Sequence, residues 1–303
     1  MGKRCLALGL LLSFVACSSM SPGPAENSRV VTEAGNAPLK KKILLLKFLN
    51  RSPYTNPELI EQAYSDIRSV ARRTPDVVLI EETALEGNPS VTFDGLTYDL
   101  KTIYDRSRAL GISGVILGAI EDLQVEKEGE ESGLFRTSQY QVTAQVRFQL
   151  MDTSSEREVA GQLSTGKVSE SHTFLFGRRE VDTTELTKGT EAVSKALEQP
   201  LANFSSSIRR LGWVGRVAKI ELHRYYINAG EETGLTKGQL LKVFADSMPV
   251  NDPKTGLLIG LAPGRFKGML RVIDFMGKDG AVATLHSGAD IREQDRVETF
   301  SPR

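Results

Sequence analysis

The sequence predicts an α+β protein: a mixed sheet flanked by amphipathic helices, followed by a small all-β barrel-like domain. Three observations predict it. Between Leu39 and Ile120, aliphatic runs of strand length alternate with segments of helical period. From Tyr140 the pattern becomes strict two-residue alternation. Beyond Gly212 no helical period appears, and short β-rich runs are punctuated by glycines.

Lys42 to Leu49 (KILLLKFL) is nearly all aliphatic, as a strand buried on both faces requires, and Asn50-Arg51-Ser52-Pro53 stops it. Leu59, Ile60, Ala63, Tyr64, Ile67, Val70 and Ala71 fall at helical spacing, so Pro57 to Arg73 reads as an amphipathic helix that Thr74-Pro75 ends. Asp76-Val77-Val78-Leu79-Ile80 reads as a second buried strand. Leu100, Ile103, Tyr104 and Leu110 mark a second helix, and Ile112 to Ile120 (ISGVILGAI) a third strand. Glu121 to Gln139 is too charged for a core and reads as an insert.

Tyr140, Val142, Ala144, Val146, Phe148 and Leu150 then alternate with polar neighbours, so one face of this strand is core and the other wet. Asp152-Thr153-Ser154-Ser155 turns the chain, and Arg157 to Ser171 returns as a weaker partner strand. Val193, Ala196, Leu197, Leu201, Phe204 and Ile208 form one helical stripe within Leu186 to Leu211, with a kink expected at Pro200. This completes a domain over 39–211. Residues 212–303 form the second, whose Asp252-Pro253-Lys254-Thr255-Gly256 has Pro to preset a turn and Gly to close it, a hairpin tip.

The N-terminus is a targeting segment. Met1-Gly2-Lys3-Arg4 is a positive head, and Cys5 to Ala16 is apolar but shorter than the ~20 residues a spanning helix needs. Val15-Ala16-Cys17 resembles a bacterial lipobox, in which removal of 1–16 leaves Cys17 as a lipidated first residue; Phe14 stands where leucine is usual. Ser18, rather than Asp, resembles Gram-negative lipoproteins sent to the outer membrane, which implies a protein domain on its periplasmic face. Residues 17–38, rich in Ser, Pro, Gly and Asn, read as a flexible tether. With Cys5 leaving in the leader, no disulfide is available to the mature monomer.

Hydrophobic residues at 40% and charged residues at 25% are globular values. Lys3 and Arg4 leave with the leader, so 36 basic residues face 38 acidic ones and the mature net charge is about minus two. Nucleic acid is therefore not an expected partner. The basic group Lys40-Lys41-Lys42 with Arg68, Arg72 and Arg73 reads as a solvated face.

Two family resemblances rest on particular segments. Gly215 to Leu222 (GRVAKIEL), Tyr226 to Gly230, Gly234 to Val243, the hairpin DPKTGLLIG and Lys267 to Val272 resemble the C-terminal domain of the flagellar assembly protein T family, with a departure at His223-Arg224-Tyr225. KILLLKFLNRS, Leu110 to Gly118 and Phe148 to Asp152 are similar to the middle domain of that family and to the curli secretion lipoprotein CsgG. The resemblance implies an envelope assembly role, with a homo-oligomeric ring as one form. It also raises a CsgG-type secretion pore, for which membrane strands need an apolar outward face. Glu121 to Gln139 carries Glu126, Lys127, Glu128, Glu130 and Glu131, and Ser164 to Thr184 carries Arg178, Arg179 and Glu180, so neither segment supplies one.

The sequence predicts no catalytic residues, no cofactor and no metal ligands. His172, His223 and His286 lack companions at ligand spacing, and Gly166-Lys167-Val168-Ser169 lacks the upstream glycine of a phosphate-binding loop. Asp246, Asp252 and Asp274 lie in the β domain and could in principle pair as acid and base, but Asp252 is better explained by its turn and nothing orients the carboxylates. Phe174-Leu175-Phe176 reads as an aromatic clip and candidate partner contact. The expectation is a non-enzymatic outer-membrane lipoprotein that assembles or stabilises an envelope machine, flagellar by resemblance. A periplasmic activator of a peptidoglycan synthase is the alternative, and the pore is third.

Overall fold

The computed structural model describes residues 38–85, 96–132, 135–175 and 183–300, with the backbone alone at 127–132, 135–138, 172–175 and 183–186. The chain opens with β1 (Lys41–Leu45), β2 (Leu49–Asn50), α1 (Pro57–Arg73), β3 (Val77–Glu81) and α2 (Leu100–Ala109). It continues through β4 (Gly114–Ser132), β5 (Phe135–Asp152), β6 (Arg157–Leu175), α3 (Thr183–Ala202) and α4 (Phe204–Arg210). The sheet order is β3-β1-β4-β5-β6, with β2 also paired to β4; β3, β1 and β4 run parallel, and β4, β5 and β6 antiparallel.

The local signals explain the elements. Pro57 opens α1, the Asn56 side chain accepts from Glu58 N, and Leu59, Ala63, Tyr64, Ile67 and Ala71 form its buried stripe. Asp99 caps α2 by accepting from Thr102 N, and this with the Thr102 hydroxyl bond lowers the Asp99 carboxyl below its usual range. Leu100 and Leu110, assigned to the stripe from their spacing, are 41% and 40% exposed. The helix is only ten residues long, so Ile103, Tyr104 and Ser107 form its buried side and the end leucines stay in water.

The parallel half of the sheet is buried on both faces. Ile43 and Leu45 of β1, with Ile116 and Ile120 of β4, face the core made with α1, α3 and α4, while Leu44, Leu46, Val115 and Leu117 face Ile103 on the other side. β5 is buried at every second residue from Tyr140 to Leu150, matching its alternation. Gly166 in β6 lets α3 approach closely, since a Cβ there would collide with the carbonyl of Ala192.

Three readings of the sequence need correction. The run from Lys42 to Leu49 is two strands, because the chain leaves the ladder after Leu45 and rejoins it at Leu49 opposite Ala119. Glu121 to Gln139 is no insert: β4 and β5 continue as a ladder to the pair Ser132 and Phe135. Backbone hydrogen bonding suffices there, so no hydrophobic alternation announces it. The return strand runs on past Ser171, for β6 pairs with β5 from Arg157 to Leu175. Pro200 lies inside α3, which ends at Ala202, and α4 resumes at Phe204.

The remaining strands are β7 (Gly215–Glu221), β8 (Arg224–Ile227), β9 (Leu240–Phe244), β10 (Met248–Asn251), β11 (Leu258–Ala262), β12 (Phe266–Met276), β13 (Gly280–Gly288) and β14 (Arg296–Thr299). Six of them close an antiparallel barrel in the order β12-β13-β8-β7-β14-β9, around Val217, Ile227, Leu241, Val243, Leu270, Val272, Ala281, Ala283 and Val297. β10 and β11 stand apart as a two-stranded sheet between β9 and β12. Its tip is the DPKTG turn: Asp252 Oδ1 accepts from Lys254 N (2.9 Å) and Thr255 N (2.7 Å), and Gly256 closes the turn at φ +71°.

Candidate functional site

The chemistry-bearing residues are engaged separately. Asp246 accepts from Arg216 at 2.9 Å, Asp252 holds its own turn, and Asp274 accepts from Lys237 at 2.6 Å. His223 occupies the β7–β8 turn, and His286 Nδ1 lies 3.3 Å from Arg271 Nη2. For His172 only the backbone is described, opposite Ser138 in the ladder. Among the described residues, no three His, Cys, Asp or Glu side chains come together as a metal site, and no helix is long and apolar enough to cross a membrane.

The basic group is engaged in part: Lys41, Lys42 and Arg68 are half-buried, while Lys40, Arg72 and Arg73 stay exposed, as a solvated face requires. Lys41 Nζ donates to Ile208 O (2.8 Å) and Arg209 O (3.2 Å) at the end of α4, and burial lowers its pKa despite the pull of Asp76. Lys42 pairs with Asp279 and donates to Asn228 O. Arg68 and Arg72 share Glu81.

An electrostatic clamp fixes the chain where β2 turns toward α1. Glu121 on β4 accepts from Arg147 of β5 (2.7 Å) and from Arg51 (2.9 and 3.0 Å). Burial alone would raise its carboxyl, but these two guanidinium groups outweigh burial and hold it below the usual carboxylate range. A groove of about 500 Å³ opens at the α3–α4 break between Phe148, Val159, Gln162, Asn203 and Arg210, where Arg210 donates to Ser207 Oγ at 3.1 Å.

Two protruding β features are the candidate contact surfaces. In the first, β4, β5 and β6 run on past Val125, Tyr140 and Val168, the last buried or core-packed apolar residues on each strand among those whose side chains are described. Phe174 and Leu175 lie at the far end of β6, and Phe176 lies outside the described residues. The register sets Leu175 opposite Phe135 and Phe174 opposite Arg136. Phe135 was not singled out from sequence, because it sits in a charged stretch and only the register brings it to the clip.

The second feature is the β10–β11 arm. Met248, Leu257, Leu258 and Ile259 are 63%, 70%, 52% and 64% exposed, Val250 is 42%, and Phe266 at the arm's root is 55%. Such side chains normally face a core, and the sequence signal for them was hydrophobicity in a hairpin that has no sheet behind it. Cys17, the expected lipid site, lies outside the described residues.

No protein-family model matches the sequence, and no curated protein matches it. Solved structures overlap it in part. One is described as a homologue of neuraminyllactose-binding hemagglutinin from Helicobacter pylori (TM-score 0.39, 10% identity, 56% of this chain and 88% of that one). Lipoprotein GNA1162 from Neisseria meningitidis overlaps at TM-score 0.27 and 15% identity, over 54% of this chain and 99% of that one. The PelC dodecamer from Paraburkholderia phytofirmans overlaps at TM-score 0.27 and 15% identity, over 54% of this chain and 87% of that one.

Proposed function

We propose that this chain is a lipid-anchored, non-enzymatic protein of the outer membrane's periplasmic face that works through protein contacts in assembling or stabilising an envelope machine. The observation that carries the contact reading is the three-stranded extension, which continues beyond the helix-covered core and aligns Phe135 with Leu175 at its end. Aromatic and aliphatic residue types beyond a strand's own core can anchor a partner without that core unfolding. The anchor reading rests on the apolar leader that ends at Val15-Ala16-Cys17.

Labelled palmitate should enter the protein in cells, and unchanged labelling of Cys17→Ser would remove the anchor. Native complexes isolated through the full chain should contain flagellar basal-body proteins if the resemblance of the barrel domain holds. Enrichment of a peptidoglycan synthase would favour the alternative of a tethered activator. Phe174→Ser with Phe135→Ser should keep a cooperative melt yet reduce recovery of the complex at least several-fold. Full assembly by that variant would remove the extension from the interface.

A further inference from the structure

Helix α4 turns a polar stripe toward the sheet. Asn203, Ser206, Ser207 and Arg210 recur at helical spacing and line the groove of about 500 Å³ at the α3–α4 break, across from Phe148 and Gln162, which are paired in the ladder of β5 and β6. Phe204 and Ile208 bury the other side of the helix in the core. A helix packed on the sheet along this stripe would carry aliphatic residues there as well. Pro200 lines the same groove, and α3 stops just beyond it, so the gap follows from the course of the backbone.

We propose that this groove is a binding site for the C-terminal carboxylate of a peptide, with Arg210 as the anion-binding residue. This goes beyond the anchoring and assembly reading and does not depend on it.

The charge of the site selects a monoanion. Arg210 Nη2 donates to Ser207 Oγ at 3.1 Å, and Ser207, 4% exposed, is itself held by donating to Asn203 O at 3.1 Å. One end of the guanidinium is thereby fixed, and its other N–H groups are left for a ligand. No acidic side chain lines the groove, and among the described residues none pairs with Arg210. The neighbouring cations are turned elsewhere: Arg209 donates to Ser205 Oγ at 3.0 Å, and Lys41 to the carbonyls of Ile208 and Arg209. A single planar guanidinium matches a carboxylate in charge and shape, whereas a doubly charged phosphate would call for a second cation.

The amides and the floor select a peptide. The Asn203 side chain makes no cap bond, and Gln162 donates through Nε2 to Gln199 Oε1 at 2.9 Å, which leaves its own oxygen as an acceptor. Donor and acceptor together are what the peptide unit next to a terminal carboxylate requires. Val159, Ala160 and Pro200 give an apolar wall for a small side chain. The volume falls within the range of about 300–1,000 Å³ typical of small-ligand sites.

The test is nuclear magnetic resonance of the isotope-labelled full chain, following the side-chain N–H signals of Arg210, Asn203 and Gln162 as acetyl-alanyl-alanine is added to millimolar concentration. We expect these signals to move and saturate with the free acid and to stay in place with the C-terminal amide of the same peptide. Arg210→Gln, followed through Asn203 and Gln162, should weaken binding about tenfold or more, as loss of a charge-assisted hydrogen bond does. Ser206→Leu fills the groove without touching Arg210 and should abolish binding. Both positions are exposed, so each variant should keep the parent's melting transition. Signals that do not move, that move equally with the amide, or that respond unchanged in Arg210→Gln overturn the proposal. So does saturation by inorganic phosphate at the same concentration as by the peptide acid, which would make the groove a general anion site.

Discussion

Lys42 Nζ lies 3.0 Å from Asp279 Oδ2, joining the first strand of the sheet to the turn between β12 and β13 of the barrel. The two side chains are 14% and 10% exposed. Asp279 Oδ1 also accepts from Gly230 N (2.7 Å) and Thr233 N (3.1 Å), and Thr233 O in turn accepts from Lys40 N at 2.9 Å. Asp279→Ala would leave a buried ammonium and remove the acceptor of two backbone amides. Chemical denaturation should show a loss of about 3 kcal/mol or more. Lys42→Met leaves the carboxylate its amide donors and should cost less. Equal stability of both variants and the parent would show that the pair is not a tie.

Glu121 supplies a pH-dependent contribution. Its folded pKa lies below the ordinary 4.5, so its stabilisation is complete above that value and is lost as pH falls through the lowered one. Glu121→Gln should destabilise by about 1 kcal/mol at neutral pH, since the carboxylate accepts charge-assisted bonds from half-exposed arginines. The difference between variant and parent should shrink toward zero in acid. A difference that persists there would assign the effect to packing.

The β7–β8 turn places Leu222 at φ 47° and His223 at φ 63°, a two-residue hairpin loop with both centres left-handed. Branched leucine resists that conformation, and Leu222 gains nothing from burial, being 89% exposed. Replacing the pair by Leu222→Asn with His223→Gly should raise stability by about 1 kcal/mol. A thermal melt that falls instead would mean that Leu222 makes a stabilising contact.

Gly166→Ala tests the close approach of α3 to β6. The added methyl meets the Ala192 carbonyl, a backbone atom that cannot rotate away. A loss of about 2 kcal/mol or more is expected, whereas Gly260→Ala in the arm, where space is open, should change stability little.

Trp213 precedes β7 but is 8% exposed within the barrel core. A fragment of residues 212–303 should therefore unfold cooperatively, and one beginning at Gly215 should be weaker by about 2 kcal/mol for loss of the indole. A disordered 212–303 fragment would make the barrel dependent on the sheet beside it.

Local chemistry by itself determined the elements whose signals lie within a few residues. The bounds of α1 follow from Asn56, Pro57 and Thr74-Pro75, the buried face of β5 from its two-residue period, and the arm's turn from Asp252 and Gly256. Caps, turns and periods act over one to two helical turns, so the chain carries them openly. Tertiary structure decided whatever depends on a distant partner. The ladder through Glu121 to Gln139 exists because β4, β5 and β6 hold one another in register, and polar side chains leave no trace of such pairing. Phe135 is paired with Leu175 in the ladder through that register alone. Met248, Leu257 and Ile259 have the composition of a core, and only closure of β12 on β9 leaves their hairpin outside it. Hydrophobicity states what a side chain gains by burial; which other strands arrive to bury it is settled across the whole chain.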